Sequence, residues 1–201
     1  MKRSLNQNKP GSGTIERDYA IVKVYDDHVY KQIIPSRDRT VPLTKEWFKT
    51  YNSLAKRNPY LPMLLELVSP TEFIMERVHI LTSLDKFFKY DEYKRYSPHN
   101  DINFLLNIVQ MFTFCFNQSL EFSKNLHEQQ ERQGNKHIDT NRFFTHQDMG
   151  LYNIVVTKDE NLILLDPDSY RFVHGERTFS KYLAHHTTLM GNIIRKFYEY
   201  Q

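Results

Sequence analysis

Five side chains able to do acid, base or metal chemistry fall close together near the C-terminal third: His146, Asp148, Asn153, Asp166 and Asp168. They lie in FFTHQDMGLYNIVVTKDENLILLDPDSYRFV, Phe143 to Val173, around two short apolar runs, 154–157 and 162–165, parted by a KDEN turn. Antiparallel pairing of those runs returns the chain to its starting point, so Asn153 comes to sit beside Asp166 and the carboxylates gather at one end. Carboxylates are costly to gather unless something positive or reactive lies between them. Carboxylate and amide oxygens are hard ligands, suited to magnesium held together with phosphates. Asp148, five residues before Asn153, is left to accept a proton or to orient a hydroxyl nucleophile. Singly, Asp and Asn at such places are ordinary turn and cap residues. Their joint spacing around a hairpin is what points to chemistry, with Asp168 either a second metal ligand or a loop carboxylate.

The elements that must position these residues can be read from the periodicities. YAIVKVY and HVYKQII, separated by Asp26-Asp27, form a hairpin over 19–25 and 28–34. SRDRTVP reads as a loop. Thr44 caps a helix running to about Arg57, with Trp47, Phe48, Tyr51 and Leu54 on one face. A second hairpin follows, 63–69 with 72–78, and then a helical segment starting near Ser83 or Asp85. The longest helix spans 102–130, its apolar stripe being Phe104, Leu105, Ile108, Val109, Phe112, Phe116 and Leu120. RQGNKHIDTN is a polar connection, and a final helical pattern over 179–200 carries His185-His186 as a partly buried or exposed pair. Four strands with one helix therefore precede a mainly helical half holding one hairpin. Two lobes with a cleft between them are expected: a loosely ordered or disordered tail at 1–13, a first lobe at 14–78 and a second at 79–201.

HQDMGLYN, followed thirteen residues after Asn153 by DPD, resembles the catalytic loop and metal-binding triplet of the protein-kinase-like superfamily. The resemblance implies an α+β, two-lobed fold with a small antiparallel N-lobe sheet plus one helix, and a reduced, mainly helical C-lobe. It implies ATP and Mg2+ as cofactors, Asp148 as catalytic base, Asn153 and Asp166 as metal ligands, and His146 as support for the loop. The exit LLDPDSY is similar to that of phage-encoded protein kinases and of aminoglycoside- or fructosamine-type kinases. In the first half, Lys31 stands mid-strand in HVYKQI, as the phosphate-holding lysine of the family does, and Glu46 on the next helix is its candidate partner, with Glu66 a competing acid. Gly11 and Gly13 of GSGT fall twenty residues or fewer before Lys31, near where a phosphate-cradling loop belongs. FIMERV resembles the strand leading to the hinge, where backbone groups from Glu76 to Val78 would bond adenine.

The pattern also departs from the family. Glu16 stands where a third loop glycine belongs, Gly150 where eukaryotic Ser/Thr kinases carry lysine, and Pro167 where the triplet's phenylalanine would be. With 35 residues after Asp166, a full activation segment is not expected, and the chain reads as a minimal kinase. The first reading is a Ser/Thr protein kinase with protein substrates. A small-molecule kinase of the aminoglycoside or choline type fits the motif as faithfully, and a pseudokinase serving as a binding module is the third reading.

Composition bounds the alternatives. Of 201 residues, 27 are Lys or Arg and 24 Asp or Glu, a net charge of +3. The basic residues form no block or stripe, so nucleic acid is not an expected partner. No apolar run reaches the ~20 residues of a membrane helix. MKRSLNQNKPGSG lacks the apolar core of a signal peptide, and the single Cys115 cannot form an internal disulfide. A cytoplasmic protein is expected. The abundance of Tyr and Phe (13 and 14) against 6 Gly suggests an AT-rich genome such as that of a virus or phage, which would make the location a host cytoplasm.

Overall fold

The computed structural model describes residues 13–17, 19–35, 42–88, 102–134 and 142–199. Outside them lie Gly11, the tail up to residue 12, most of the SRDRTVP loop, the helical segment past Phe88 and most of the polar connection before Arg142. The chain divides into two compact units, one of Met1–Lys56 with Pro62–Val78, the other of Arg57–Leu61 with His79–Gln201.

The first unit is an antiparallel sheet of five strands: β1 (Gly13–Arg17), β2 (Ala20–Val24), β3 (His28–Ile33), β4 (Leu64–Ser69) and β5 (Glu72–Glu76), in the order β1-β2-β3-β5-β4. The sequence reading expects four strands in this half. The fifth, β1, is GTIER, too polar and glycine-led to show a strand period. Its backbone is satisfied by pairing along β2, from Gly13 opposite Val24 to Arg17 opposite Ala20. The turn of the β2–β3 hairpin is fastened by Tyr25 N–H to His28 O at 2.9 Å. His28 also meets Asp27 at 2.6 Å, and that hydrogen bond holds the Asp27 carboxyl below its usual range.

Helix α1 (Lys45–Ala55) packs on this sheet. Thr44 is its N-cap, the hydroxyl accepting from Trp47 N–H at 3.0 Å. Trp47, Tyr51, Leu54 and Ala55 are buried, and Trp47 meets Phe73 of β5 at 6.0 Å between rings. Each large apolar side chain so buried contributes roughly 1.5–3 kcal/mol. Asn52 fixes where β4 begins, its amide donating to Leu64 O and accepting from Leu64 N–H, both at 2.9 Å.

The second unit departs from the expected single hairpin. Its described residues hold five short strands: β6 (Ile80–Ser83), β7 (Arg142–His146), β8 (Ile154–Thr157), β9 (Leu162–Leu164) and β10 (Tyr170–His174). They form a three-stranded sheet β6-β8-β9 and a separate pair β7-β10. FFTH, YRFVH and ILTS escape periodicity because each is short and finds its partner far along the chain. A one-turn helix α2 (Leu84–Phe87), the long α3 (Ile102–Arg132) and α4 (Glu176–Glu199) complete the unit. The apolar stripe of α3 lies slightly round from the expected one: Met111 and Cys115 are buried, whereas Leu120 is 41% exposed. Ser119 ties α3 to β7 by donating to Phe144 O at 3.0 Å. Phe143 and Phe179 stack at 4.1 Å, joining β7 to α4. Segment 57–61 anchors to this unit through Asn58, which donates to Gln118 at 2.8 Å, and through Tyr60 O, which accepts from Leu164 N–H at 2.8 Å. No described helix is long and apolar enough to cross a membrane.

Candidate active site

The site is built on two nested hairpins. The inner one is β8–β9, with Ile154 opposite Leu164 and Val156 opposite Leu162. All four residues of β8 are buried, so the inner hairpin is a core element and its ends cannot drift. Its turn is closed by Thr157 N–H to Asn161 O at 2.8 Å and by Asn161 N–H to the Thr157 hydroxyl at 3.0 Å. The outer pair, β7–β10, sets His146 opposite Tyr170. Between them run two loops, 147–153 and 165–169, and every polar residue of interest lies on or beside these.

Three hydrogen bonds hold the loops together. Leu165 N–H donates to Asn153 O at 2.7 Å, Gln147 N–H donates to Ser169 O at 2.8 Å, and His146 Nε2–H donates to Leu165 O at 3.0 Å. Asn153 is thereby placed next to Asp166 through the backbone, as the spacing predicts. His146 is fully buried. Since a carbonyl can only accept, its proton sits on Nε2, and Nδ1 finds no partner among the described residues. Burial pushes the imidazole below its usual range, against the bond to Leu165 and the charges of Asp166, Asp148 and Asp168. A neutral ring supporting the loop is the result.

Asp148 stands exposed in the first loop, between His146 and Met149, and Met149 is completely buried. The buried thioether pins the middle of the loop, while Asp85 N–H of α2 donates to Leu151 O at 3.3 Å from the other side. Asn153 donates its side-chain amide to Asp148 O at 2.7 Å and lies 3.4 Å from Asp148 Oδ2. With its nitrogen so committed, Oδ1 is the atom Asn153 has to offer a cation. Asp166 adopts a left-handed backbone, φ 65° and ψ 60°, a conformation that costs a non-glycine residue about 1 kcal/mol or more. That turn throws the chain into the 3-10 turn Pro167–Ser169, sealed by Ser169 N–H to Asp166 O at 2.8 Å. Asp168 lies within this turn. Arg171, on β10, feels the charge of Asp168 and, less, of Asp166, both opposing the downward effect of its burial.

Asn153, Asp166 and Asp168 are hard oxygen donors. Among the described residues no group of three or more His, Cys, Asp or Glu side chains is arranged to hold a metal by itself. Oxygen donors of this kind suit magnesium, which a protein holds through one or two carboxylates while phosphates and water supply the rest. The donor set does not fit zinc.

The remaining expected residues belong to the first unit. Lys31 lies inside β3, opposite Val22 on one side and Phe73 on the other, and is only 6% exposed. Cross-strand partners share a face, so Ile15, Val22, Lys31 and Phe73 form one row across β1, β2, β3 and β5. An ammonium in such a row demands a compensating charge. Glu46 is exposed in the first turn of α1. Glu76 ends β5 with its N–H bonded to Met63 O at 2.9 Å, and Val78 follows two residues on. Gly13 opens β1 opposite Val24. It therefore lies at the opposite end of the β1–β2 ladder from the Arg17–Ala20 pair.

One residue escaped the sequence reading. Tyr152, 56% exposed, donates its phenol to Asp148 Oδ1. Its ring lies so close over Gly150 that a Cβ there would come within 2.7 Å of the ring's Cζ and 2.9 Å of Cδ1. Glycine two residues after Asp148, which reads in the sequence as a missing lysine, is the space this ring requires. A glycine two before an aromatic inside a motif loop was the available signal.

No family model and no curated protein matches the chain. Solved structures do. It is similar to WbdD at 13% identity over 93% of this chain and 36% of that one, TM-score 0.47. It is similar to APH(2")-IIa, solved as a ternary complex with streptomycin and ATP, at 13% identity over 81% and 68% of the two chains, TM-score 0.48. Likeness to an ethanolamine kinase of Plasmodium vivax runs at 9% identity over 81% and 56%, TM-score 0.41. The chain thus spans about a third of the length of WbdD. These likenesses are at low identity with TM-scores below 0.5, and no activity passes from them to this chain.

Proposed function

We propose that the chain is an ATP- and magnesium-dependent phosphotransferase acting on a hydroxyl, with Asp148 as the base. The observation that carries this is the fastening of Asp148, Asn153 and Asp166 around one buried hairpin, through Leu165 N–H to Asn153 O at 2.7 Å and Asn153 Nδ2 to Asp148 O at 2.7 Å. An acceptor hydroxyl gives its proton to the Asp148 carboxylate as its oxygen bonds to the γ-phosphorus. The bond from that phosphorus to the β–γ bridging oxygen breaks, and ADP leaves with the electron pair. Magnesium, when bound with the nucleotide, supplies charge neutralisation on the phosphates, with Asn153, Asp166 and Asp168 as its protein ligands. His146 keeps the loop in place. Lys31 holds the α- and β-phosphates with Glu46 as counter-ion, and the backbone from Glu76 to Val78 takes the adenine.

The acceptor we propose is a protein Ser/Thr hydroxyl. Asp148 is exposed in its own unit and Tyr152 beside it is 56% exposed, which suits an acceptor that brings its own surface. The test is transfer from γ-labelled ATP with magnesium, with and without cell lysate, beside Asp148→Asn and Asp166→Ala. Asp148→Asn is expected to lower transfer by about 10³-fold while magnesium–ATP binding stays within a few-fold, and Asp166→Ala to weaken that binding itself. Label on lysate proteins supports the protein acceptor. Magnesium-dependent ATP binding with label passing only to small hydroxyl compounds would shift the reading to a small-molecule kinase. Absence of ATP binding would leave a pseudokinase.

A further inference from the structure

Tyr152 is not where a packing residue belongs. Its ring is 56% exposed, it rests across a glycine, and its hydroxyl reaches Asp148 Oδ1. The other carboxylate oxygen, Oδ2, already faces the Asn153 amide at 3.4 Å, while the Asp148 carbonyl takes that amide's stronger bond at 2.7 Å. Oδ1, which the Asn153 amide does not approach, is the more open oxygen for an acceptor hydroxyl, and a phenol already donates to it. A phenol is neutral at pH 7 and a donor to a carboxylate, so it competes with any acceptor O–H for the same lone pair. Because the ring is mostly solvent-exposed, swinging it off exchanges one hydrogen bond for another at little cost in buried area.

We propose that Tyr152 is the gate of the acceptor position: its phenol holds Asp148 Oδ1 in the resting protein and yields it only to an acceptor able to push the ring aside. Water brings no surface to hold the ring once it has swung off, so the phenol returns to Oδ1 and idle hydrolysis of ATP is slowed. Gly150 is part of the device, since any side chain there would lift the ring from its seat. Tyr152 acts through Asp148 and is a positioning residue. The proposal rests on the reading of Asp148 as the base.

The test is magnesium–ATP hydrolysis with water as the only acceptor, in the full chain and in Tyr152→Phe, Gly150→Ala and Asp148→Asn. Tyr152→Phe and Gly150→Ala are each expected to raise hydrolysis by about three- to tenfold, what a typical hydrogen bond is worth net of solvation, with KM for ATP unchanged. Asp148→Asn abolishes the gain when combined with either. A merely structural tyrosine would slow turnover when cut back, so unchanged or slower hydrolysis in both variants, with Asp148→Asn still inactive, overturns the gate and leaves the base assignment standing. Hydrolysis that Asp148→Asn does not reduce removes the base, and the gate with it. A readout free of turnover comes from 3-fluorotyrosine incorporation. The fluorine resonance missing from Tyr152→Phe should shift in Asp148→Ala and in Gly150→Ala, and a resonance indifferent to both overturns the proposal. Phosphate found on Tyr152 itself after incubation with ATP would make the phenol an acceptor rather than its gate, and overturns it as well.

Discussion

The two units place their polar residues by opposite means. In the first, Lys31 is set by an unbroken ladder: Val22 on one side, Phe73 on the other, within registers that run without a shift along β2–β3 and β3–β5. Its position follows from strand pairing alone, and the unfavourable term is electrostatic, a nearly buried ammonium at 6% exposure. In the second, the acids lie off the strands, in loops tied to each other by three hydrogen bonds and pinned by one buried methionine. There the unfavourable terms are a left-handed Asp166 and a buried, half-satisfied His146. A ladder fixes a residue through many equivalent bonds, whereas a loop must fix it through a few particular ones. The first arrangement tolerates the loss of a bond better than the second.

Lys31→Met puts the largest load on this contrast. Phosphotransfer is expected to fall by at least about 10²-fold, while the strand pairing, which does not use the side chain, keeps the fold. Urea unfolding beside a transfer assay separates the two, and a loss of stability of several kcal/mol would mean the ladder depends on the cation. Acid comes next, and it acts on the second unit. Burial lowers His146 from its usual 6.5, and burial followed by the neighbouring His185 and His146 lowers His186 to about 3. Below pH ~6.5 the unfolded chain therefore binds protons that the folded chain refuses. Stability is fully present above that pH and falls as the pH drops towards the folded values, by about 2 kcal/mol at pH 5 from His186 alone. Denaturant midpoints at several pH values measure this, and His186→Gln should flatten the slope. An equal slope in the variant would assign the acid sensitivity elsewhere. The smallest expected effect isolates the strain at Asp166. Asp166→Gly and Asp166→Ala both remove the carboxylate, but glycine adopts φ 65° freely, so the glycine variant should be the more stable by about 1 kcal/mol. Equal melting temperatures would show that the left-handed turn stores nothing.

Much of the first unit is legible in the sequence because its elements are local: Asp26-Asp27 marks a turn, Thr44 a cap, and each strand of the two hairpins lies beside its partner in the chain. The inner hairpin of the site is legible for the same reason, and Ile154–Thr157 forms a strand with the bounds that its apolar run predicts. The outer pair was not. Arg142–His146 meets Tyr170–His174 across the whole site, and neither strand alternates in a way that names a partner. Likewise β1 is carried by its neighbour's backbone and not by its own side chains. Nor does spacing foretell that Tyr152 turns back onto Asp148, since that depends on the rotation of one ring over one glycine. Residue type and spacing locate oxygens and charges well. They do not tell which side chain lies across which.

Gly150 has a consequence for how this sequence can change. A lysine two residues after the base would drive the Tyr152 ring from its seat, because its Cβ would enter that ring. A lone change at Tyr152 would not supply a cation to take the ring's place. The two positions form a coupled pair in sequence space, because a side chain at 150 changes what the ring at 152 can reach. Designs that graft a lysine onto this loop should vary positions 150 and 152 together.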